Sequence, residues 1–444
     1  MPKNEPEYTH FESLYPDTTR DAEIDQILSY IKNGNSAQVV GLPGVGRSNL
    51  LRFLAYNNKA RVKHLGDNYK WYHFVYLDLS EIKGRNLSEL TKFILISLSY
   101  SLSERKMEKE QEKVNSFLKE VVTFSDDLIL FQALKKAIDY LSLEKELTTI
   151  LVFDRFDSYF GSLNPEFFTN LHVLRNRVKY RFSCVFSLER PIEDTLEPEL
   201  YKEFYEFVVG NTVYLPIKDN EANLFRFSYI ERASGKTASE KTKNEILELT
   251  GGHGKLSRIS FEAMLADDKL PDDFSLFLLS KASVKGALLE LWNALTPLEQ
   301  KHIFKNDLKE LEPTSFLLLS GLVSDGKIQI PLLVSFLPQL PQPATEKIEF
   351  FPETNEIKQG NESLTDKLSP SEFKLLRYLA QNKDKVCEKE EIINAVWSDA
   401  ATQEGVTDQA LDQIVYRLRR KIETDPNTPI HLHTIKGRGY RFSE

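Results

Sequence analysis

Apolar residues form two recurring patterns in the first half of the chain. Short apolar runs, each bounded by polar residues, predict strands that are buried on both faces. These runs lie at residues 37–40, 71–79, 149–154, 181–191 and 213–217. Before and between the runs the apolar spacing is helical, as at Ile24, Ile27, Leu28 and Ile31. Alternating strands and helices predict a parallel α/β core that ends near residue 217.

The pattern changes after this core. Residues 219–283 have helical spacing and predict a helical lid, and residues 284–343 predict helices followed by a hairpin that turns at Asp325-Gly326. The proline-rich stretch 331–343 predicts a linker. We therefore expect a multidomain protein with α/β and α+β parts, in which a core and lid precede two winged-helix domains. The predicted domains are residues 1–218, 219–283, 284–343 and 344–444.

Composition narrows the class of protein. A chain of 444 residues is too long for one hydrophobic core. The net charge of −9 argues against general adhesion to nucleic acid, so any DNA contact must come from a local basic face. Two distant cysteines offer no disulfide framework. The sequence has no apolar run long enough for a membrane span and no signal-peptide core at its start, so we expect a cytoplasmic protein with no membrane partner.

A glycine-rich stretch, Gly-Leu-Pro-Gly-Val-Gly-Arg-Ser at 41–48, lies between a predicted strand and a predicted helix. This context is typical of a phosphate-binding loop, in which backbone N–H groups and a helix N-terminus meet an anion. A plain tight turn is the alternative. Arg47 stands where a lysine is expected, and Ser48 stands where a hydroxyl would ligate Mg²⁺. The predicted nucleotide-binding residues here are Gly41, Pro43, Gly44, Val45, Gly46, Arg47, Ser48 and Asn49.

A second acidic motif supports nucleotide binding. Asp154 ends an apolar run and could hold Mg²⁺ beside Ser48. The next residue, Arg155, cannot act as a base, so Asp157 is the other carboxylate nearby. Asp154 and Asp157 are thus the catalytic candidates. Whether they make the chain an ATPase stays open, because both loop motifs depart from the usual pattern.

Three further segments resemble those of AAA+ and STAND nucleotide switches. The Arg-x-x-Glu segment that begins at Arg20 resembles the box that borders the base pocket, although a surface helix explains it equally well. Ser187 resembles a sensor residue, and Arg190 could reach phosphate; a capped strand end is the alternative. The sequence Thr250-Gly251-Gly252-His253 resembles a lid motif that faces the nucleotide. The resemblance implies that its histidine contacts nucleotide, and helix capping is the alternative.

The last predicted helix, 407–423, has two distinct faces. Its apolar stripe consists of Leu411, Ile414, Val415, Leu418 and Ile422. The opposite face carries long donors and an aromatic ring, which suit readout of a DNA major groove. These predicted DNA-binding residues are Gln409, Gln413, Tyr416, Arg417 and Arg420.

A glycine-tipped hairpin at 433–442 follows this helix and carries Lys436 and Arg438, which we also predict to contact DNA. Residues 414–444 contain seven Lys/Arg and three Asp/Glu, a local charge of +4. The segments 368–376, 416–423 and 434–442 closely resemble the OmpR/PhoB-type winged helix. The resemblance implies binding of double-stranded DNA. A winged helix used only for protein contacts is the alternative.

Together these features predict a switch that binds ATP or ADP with Mg²⁺ and is fused to a DNA-binding domain. A transcriptional regulator is the leading interpretation. The rival is an AAA+ or STAND ATPase of replication, transposition or phage defence, in which nucleotide turnover is the main activity. We also expect a homo-oligomer and a further protein partner, which the sequence does not identify.

Overall fold

The computed structural model describes residues 10–267, 273–309, 311–340, 347–360, 362–397, 408–423, 426 and 429–443. Its largest sheet has five parallel strands in the order β2-β3-β4-β1-β5. They are β1 (Ala37–Val40), β2 (Tyr72–Asp78), β3 (Thr148–Asp154), β4 (Phe182–Leu188) and β5 (Thr212–Tyr214). Each corresponds to a predicted apolar run, so the parallel α/β core is confirmed. Because β4 pairs with both β1 and β3, the carboxyl ends of these three strands meet at one sheet edge.

Helices cover this sheet because their apolar residues face it. In α1, for example, Ile24, Ile27, Leu28 and Ile31 are fully buried, as the spacing predicted. The longest of the helices, α4, begins with a capping box between Asn86 and Glu89. The helices are α1 (Asp21–Lys32), α2 (Arg47–Tyr56), α3 (Asn58–Leu65), α4 (Leu87–Glu104), α5 (Glu108–Val121), α6 (Asp127–Asp139), α7 (Pro165–Val178), α8 (Ile192–Thr195), α9 (Pro198–Tyr201) and α10 (Tyr205–Val208).

The predicted lid is helical. It contains α11 (Asn220–Ser234), α12 (Glu240–Leu249), α13 (Gly254–Ala266) and α14 (Phe274–Ser280). A small apolar cluster of its own includes Phe227 and Phe261, whose rings stack with centroids 4.1 Å apart. Part of the lid is therefore packed internally, while its residues Leu256, Leu278 and Leu279 join the larger core under the sheet.

The segment after the lid contains the predicted helices and hairpin. Its elements are α15 (Ala282–Asn293), α16 (Pro297–Lys305), α17 (Phe316–Leu319), β6 (Val323–Ser324), β7 (Lys327–Ile328) and α18 (Pro331–Phe336). Its buried residues are continuous with the core under the large sheet. A separate winged-helix domain at 284–343 therefore stays a prediction.

The linker predicted at 331–343 is wrong in its first half. Residues 331–336 form a helix, because a proline at the first helical position lacks only an N–H that the helix does not need. Pro341, Pro343 and the predicted boundary between residues 343 and 344 lie outside the described residues.

The C-terminal part has its own apolar core, separate from the first. Its elements are β8 (Ile348–Phe351), β9 (Glu356–Gln359), β10 (Glu362–Ser363), α19 (Pro370–Gln381), β11 (Val386–Glu388), α20 (Lys389–Val396), α21 (Asp408–Ile422), β12 (Leu432–Ile435) and β13 (Gly439–Phe442). The predicted apolar stripe of α21 is buried, and β12 and β13 form the predicted hairpin. Thr407, the predicted start of α21, lies outside the described residues.

Candidate nucleotide cavity and DNA-reading face

The glycine-rich loop connects β1 to α2 and needs its glycines for two reasons. Gly44 and Gly46 have φ angles of 81° and 104°, in the left-handed region that favours glycine. A Cβ on Gly44 would also lie 2.8 Å from Cε1 of His253. The loop is thus tightly curled and packed closely beneath the lid.

A cavity of about 850 Å³ opens over this loop. Six of the eight predicted loop residues line it, whereas Gly41 and Val45 are buried behind it. The lining from the loop and the strand ends consists of Pro43, Gly44, Gly46, Arg47, Ser48, Asn49, Arg155, Asp157, Ser158, Ser187 and Glu189. The cavity therefore lies at the carboxyl edge of the parallel sheet, where ligands bind in folds of this type.

Arg47 lies between two carboxylates in this cavity. Its Nη1 is 3.5 Å from Oδ2 of Asp157, and its Nη2 is 3.3 Å from Oε1 of Glu189. Nη1 is buried but makes no hydrogen bond. Burial raises the pKa of Asp157 to about 6, although the Arg47 charge opposes this rise. An anionic ligand would offer Arg47 a partner with better geometry than either carboxylate.

Asp154 ends β3, and its carboxylate has partners inside the core. Asp154 is fully buried and does not line the cavity. Its carboxylate accepts hydrogen bonds from the Tyr76 hydroxyl at 2.6 Å and from the backbone N–H of Arg155 at 2.9 Å. Tyrosine at position 76 gives the carboxylate a neutral partner, which strand periodicity alone cannot reveal. A role for Asp154 with Ser48 in holding Mg²⁺ stays a prediction.

Arg155 and Asp157 both line the cavity but have different partners. Arg155 has a φ of 53°, and its guanidinium binds the Ser80 hydroxyl at 3.0 Å and contacts Asp78 at 3.5 Å. Asp157 lies beside Arg47 in the same cavity. Of the two predicted catalytic carboxylates, Asp157 is thus the one that faces a ligand.

His253 both caps α13 and contacts the loop. Its ring is buried, Nδ1 accepts the Leu256 N–H, and Nε2 lies 2.9 Å from the Pro43 carbonyl oxygen. Burial lowers the pKa of His253 to about 4, so the ring is neutral and Nε2 carries the donated proton. His253 therefore joins the lid to the back of the loop. A direct contact between His253 and nucleotide stays a prediction.

Three cations in the lid were missed by the sequence reasoning. Arg226, Lys255 and Arg258 line the cavity opposite the loop. The N–H of Lys255 donates to the Gly44 carbonyl at 2.9 Å, which fixes the start of α13 on the loop. Lys255 and Arg258 follow the Thr-Gly-Gly-His sequence closely, and this proximity was the feature of the sequence that could have identified them. Only the folded lid shows that they face the same space.

The structure also locates Ser187, Arg20 and Arg190, the other residues in segments that resemble nucleotide switches. Ser187 lines the cavity. Arg20 donates to the Val45 carbonyl at 3.2 Å and to Asp219 at 2.9 Å, so it joins the loop to the start of the lid. The suggestion that Arg190 reaches phosphate is wrong in this arrangement. Its guanidinium instead binds both oxygens of Glu299, at 2.8 and 2.6 Å, because α16 packs beside the end of β4.

The predicted DNA-reading face of α21 is only partly exposed. Gln409, Gln413 and Tyr416 are exposed, but 4% of the Arg417 side chain and 23% of the Arg420 side chain reach solvent. The expectation that all five lie on a free face is thus wrong for the two arginines. A helical projection identifies the face of α21 that points away from the core of its own domain. It does not show whether another domain packs on that face.

The hairpin after α21 is free of this packing. Gly437 has a φ of 76° at the tip, and Lys436 and Arg438 are exposed. Arg438 pairs with Glu388 of the same domain at 3.1 Å, an exposed contact that holds it weakly. Contacts between these hairpin residues and DNA stay predictions.

Comparison with known proteins identifies the C-terminal part. Residues 365–442 match the family described as "Transcriptional regulatory protein, C terminal", so this segment is an OmpR/PhoB-type domain. The sensory transduction protein RegX3 of Mycobacterium tuberculosis is 45% identical over 71 residues, which are 16% of this chain and 30% of that protein. The chain thus spans less than a third of RegX3.

Two solved structures match this chain at low similarity. The Walker-type ATPase paby2304 of Pyrococcus abyssi is 18% identical and covers 73% of this chain and 99% of its own, with a TM-score of 0.42. The RstA DNA-binding domain of Klebsiella pneumoniae, in complex with the RstA box, is 21% identical and covers 22% of this chain and 94% of its own, with a TM-score of 0.19. Among the residues that the structure describes, no helix has the length and apolarity needed to cross a membrane.

Proposed function

We propose that this chain is a DNA-binding transcriptional regulator whose activity is controlled by a bound nucleotide. The observation that carries the proposal is the cavity, which is lined by the glycine-rich loop with Arg47 and by three lid cations. The same chain carries a transcription-regulator domain. Such a cavity favours a phosphate-bearing ligand, because backbone N–H groups and fixed cations both stabilise anions.

The ligand we propose is ATP or ADP with Mg²⁺. The loop and Arg47 would hold the phosphates, and the lid cations Arg226, Lys255 and Arg258 would close over them. Ser48 would hold Mg²⁺ with Asp154, once the Asp154 carboxylate is shared with or released from Tyr76. Bound Mg²⁺ would neutralise charge on the phosphate oxygens. The buried Nη1 of Arg47, which has no hydrogen-bond partner, supports the fit to an anion.

The partner we propose is double-stranded DNA. Gln409, Gln413 and Tyr416 would face base edges, since long amide donors pair well with adenine. The cations Arg417, Arg420, Lys436 and Arg438 would meet guanine or phosphate. Cytoplasmic location, a homo-oligomer and a further protein partner complete the proposal as expectations from the sequence.

One observation favours a second candidate, an AAA+ or STAND ATPase of replication, transposition or phage defence. Asp157 faces the cavity and has a pKa of about 6, close to the range in which a carboxylate works well as a general base. We still expect slow hydrolysis, because Arg155 cannot orient an attacking water as a carboxylate would. Steady-state turnover of the wild type and of Arg155→Glu distinguishes the candidates. Fast wild-type turnover that is abolished by Asp157→Asn would favour the ATPase.

The controlling role has a thermodynamic test. If nucleotide changes DNA affinity by some factor, DNA must change nucleotide affinity by the same factor. Titrations of the full chain with a labelled duplex, without nucleotide and with saturating ATP·Mg²⁺, give the first factor, and the reverse titrations give the second. Equal factors of about tenfold are expected. Tight binding of both ligands with factors near one would rule out control by nucleotide.

A further inference from the structure

Arg417 is held by the α/β core and not by its own domain alone. One guanidinium nitrogen donates to the Glu197 carboxylate at 3.0 Å, and the other donates to the Leu196 carbonyl oxygen. Glu197 and Leu196 lie on the connection between α8 and α9, more than two hundred residues before Arg417 in the sequence. Both charged side chains are almost fully buried. An ion pair this buried forms only when the two domains are docked.

Glu197 makes a second contact with the same domain. Its other oxygen accepts the Ser369 hydroxyl at 2.5 Å and the Ser371 N–H at 3.3 Å, at the start of α19. A carboxylate is well placed there, since a helix N-terminus stabilises negative charge. One carboxylate of the core thus satisfies donors on two different helices of the DNA-binding domain. A contact in which each partner has several matched hydrogen bonds is specific to this docked arrangement.

Arg420, one turn further along α21, is held in the same way. Its Nη1 lies 2.6 Å from Oδ1 of Asp194 on α8. In addition, α21 packs against α16 of the segment that follows the lid. Asp194 and Glu197, together with the Leu196 carbonyl, therefore cover the arginine side of α21. We call these three groups the acidic latch.

The acidic latch and DNA would compete for the same cations. A carboxylate binds a guanidinium with the geometry that a phosphate or a guanine edge would use. Arg417 cannot reach DNA while its guanidinium is buried against Glu197, and the domain cannot place α21 in a groove while α16 and α8 cover it. DNA binding requires the latch to open.

The latch is close to the nucleotide cavity along the chain. Ser187 and Glu189, at the end of β4, line the cavity, and Asp194 follows only five residues after Glu189. Between them, Arg190 is bound to Glu299 of α16, the helix on which α21 packs. A phosphate that binds Arg47 would displace Glu189 from it. Any shift of Glu189 then acts on a short segment that leads directly to the latch.

We propose that the acidic latch holds the DNA-binding domain in an autoinhibited state, and that the ligand on Arg47 controls it through residues 189–197. This inference rests on the proposed function. It identifies the groups that block DNA and the segment that connects them to the cavity. The carboxylates of the latch occupy the arginines as phosphate groups would, and the latch opens when residues 189–197 move.

The test uses the full chain without nucleotide and a fluorescent duplex at fixed salt. Asp194→Lys places a cation next to Arg420 and should tighten DNA binding tenfold or more. A new positive charge could itself attract DNA, so Glu203→Lys is the matched control. Glu203 is an exposed carboxylate just after α9, 3.8 Å from His172 and outside the latch. Its variant has the same change in charge and should alter DNA affinity less than threefold.

Each result bears on the inference. Equal tightening by Asp194→Lys and Glu203→Lys would show a simple charge effect and overturn the latch. Wild-type DNA binding that neither variant alters would also overturn it, while the proposed function would stand. No DNA binding by any of the three proteins, at any salt, would instead refute the proposed function. If Asp194→Lys does not fold by circular dichroism, Glu197→Gln gives the same test, with tightening of at least threefold expected and unchanged affinity contradicting the latch.

Discussion

The cavity over the glycine-rich loop and the predicted DNA-reading face of α21 both pair an arginine with carboxylates, but they differ in how easily a ligand can reach that arginine. In the cavity, Arg47 lies between Asp157 and Glu189, and on α21, Arg417 is bound by Glu197. Arg47 and Arg417, two of the cations that we expect to meet phosphate, already have carboxylate partners. The cavity is open to a small ligand, however, whereas the arginines of α21 are covered by another part of the protein. A small ligand can therefore exchange partners locally, but DNA needs two domains to separate.

This difference suggests an order of events. Replacing the carboxylate partners of Arg47 with a phosphate should cost little free energy, because these carboxylates are already partly exposed to water. Separation at α21 costs more, since Arg417 and Glu197 are buried and must be rehydrated together. Nucleotide would then bind first and DNA second.

The largest effect should come from a substitution that destabilises one of the two apolar cores and leaves the other intact. Leu376→Ala removes a fully buried side chain from the C-terminal core and should destabilise that domain by about 2–5 kcal/mol. DNA binding should weaken, while nucleotide binding should be unchanged. Thermal melting measures the loss of stability, and titrations of the variant with DNA and with nucleotide measure the two affinities. Leu54→Ala, in the core under the large sheet, is the control and should lower nucleotide binding. Loss of nucleotide binding in Leu376→Ala would refute the independence of the cores.

Nucleotide should stabilise the region that binds it. ATP·Mg²⁺ at 100 times its dissociation constant should stabilise the full chain by about 2.7 kcal/mol, because a ligand that binds only the folded state shifts the equilibrium by mass action. The melting temperature measures the effect. Ser48→Ala should reduce the part that depends on Mg²⁺. An unchanged melting temperature at millimolar ATP would contradict binding in the cavity.

Two arginines of the C-terminal domain should respond differently. Arg438→Ala should weaken DNA binding by roughly tenfold in both the wild type and Asp194→Lys, since its partner Glu388 belongs to the same domain. Arg420→Ala should weaken binding as strongly in Asp194→Lys but less in the wild type, where the substitution also removes a latch contact. Anisotropy titrations measure all four effects. Equal losses for Arg420→Ala in both backgrounds would argue against the latch.

The smallest effect concerns pH. The pKa of Asp157 is raised from its ordinary 3.8 to about 6, so the folded state keeps a proton that the unfolded state has released between these values. This contribution to stability is present below pH 4 and is lost as the pH rises through 6. The lowered pKa of His253, about 4, acts in the opposite direction over the same interval.

Asp157→Asn removes the first contribution and keeps the second. The free energy of unfolding of the variant should therefore rise more steeply between pH 4 and 6 than that of the wild type. Urea unfolding at four pH values checks this. Parallel curves for the two proteins would show that Asp157 does not titrate in this range.

The sequence predicted those features that depend on local pattern. Apolar runs located all five strands of the large sheet, and helical spacing identified the buried stripe of α21. The glycine-rich loop could be found because its spacing between strand and helix is a local property.

Features that depend on tertiary packing could not be predicted in this way. The partner of Asp154 is Tyr76, from a neighbouring strand, and the partner of Arg190 is Glu299, from a helix more than one hundred residues away. The burial of Arg417 depends on a contact between two domains. The periodicity of the sequence does not reveal these contacts, because the partners lie far apart along the chain. They decide which charges are free, and hence which of the predicted site residues face a ligand.

The central claim is that nucleotide controls DNA binding through the acidic latch. The most direct measurement is the DNA affinity of the full chain with and without saturating ATP·Mg²⁺, compared between the wild type and Asp194→Lys. The wild type should change by about tenfold on adding nucleotide, whereas Asp194→Lys should bind DNA tightly in both conditions and change by less than twofold. A tenfold response to nucleotide in Asp194→Lys, equal to that of the wild type, would contradict the claim.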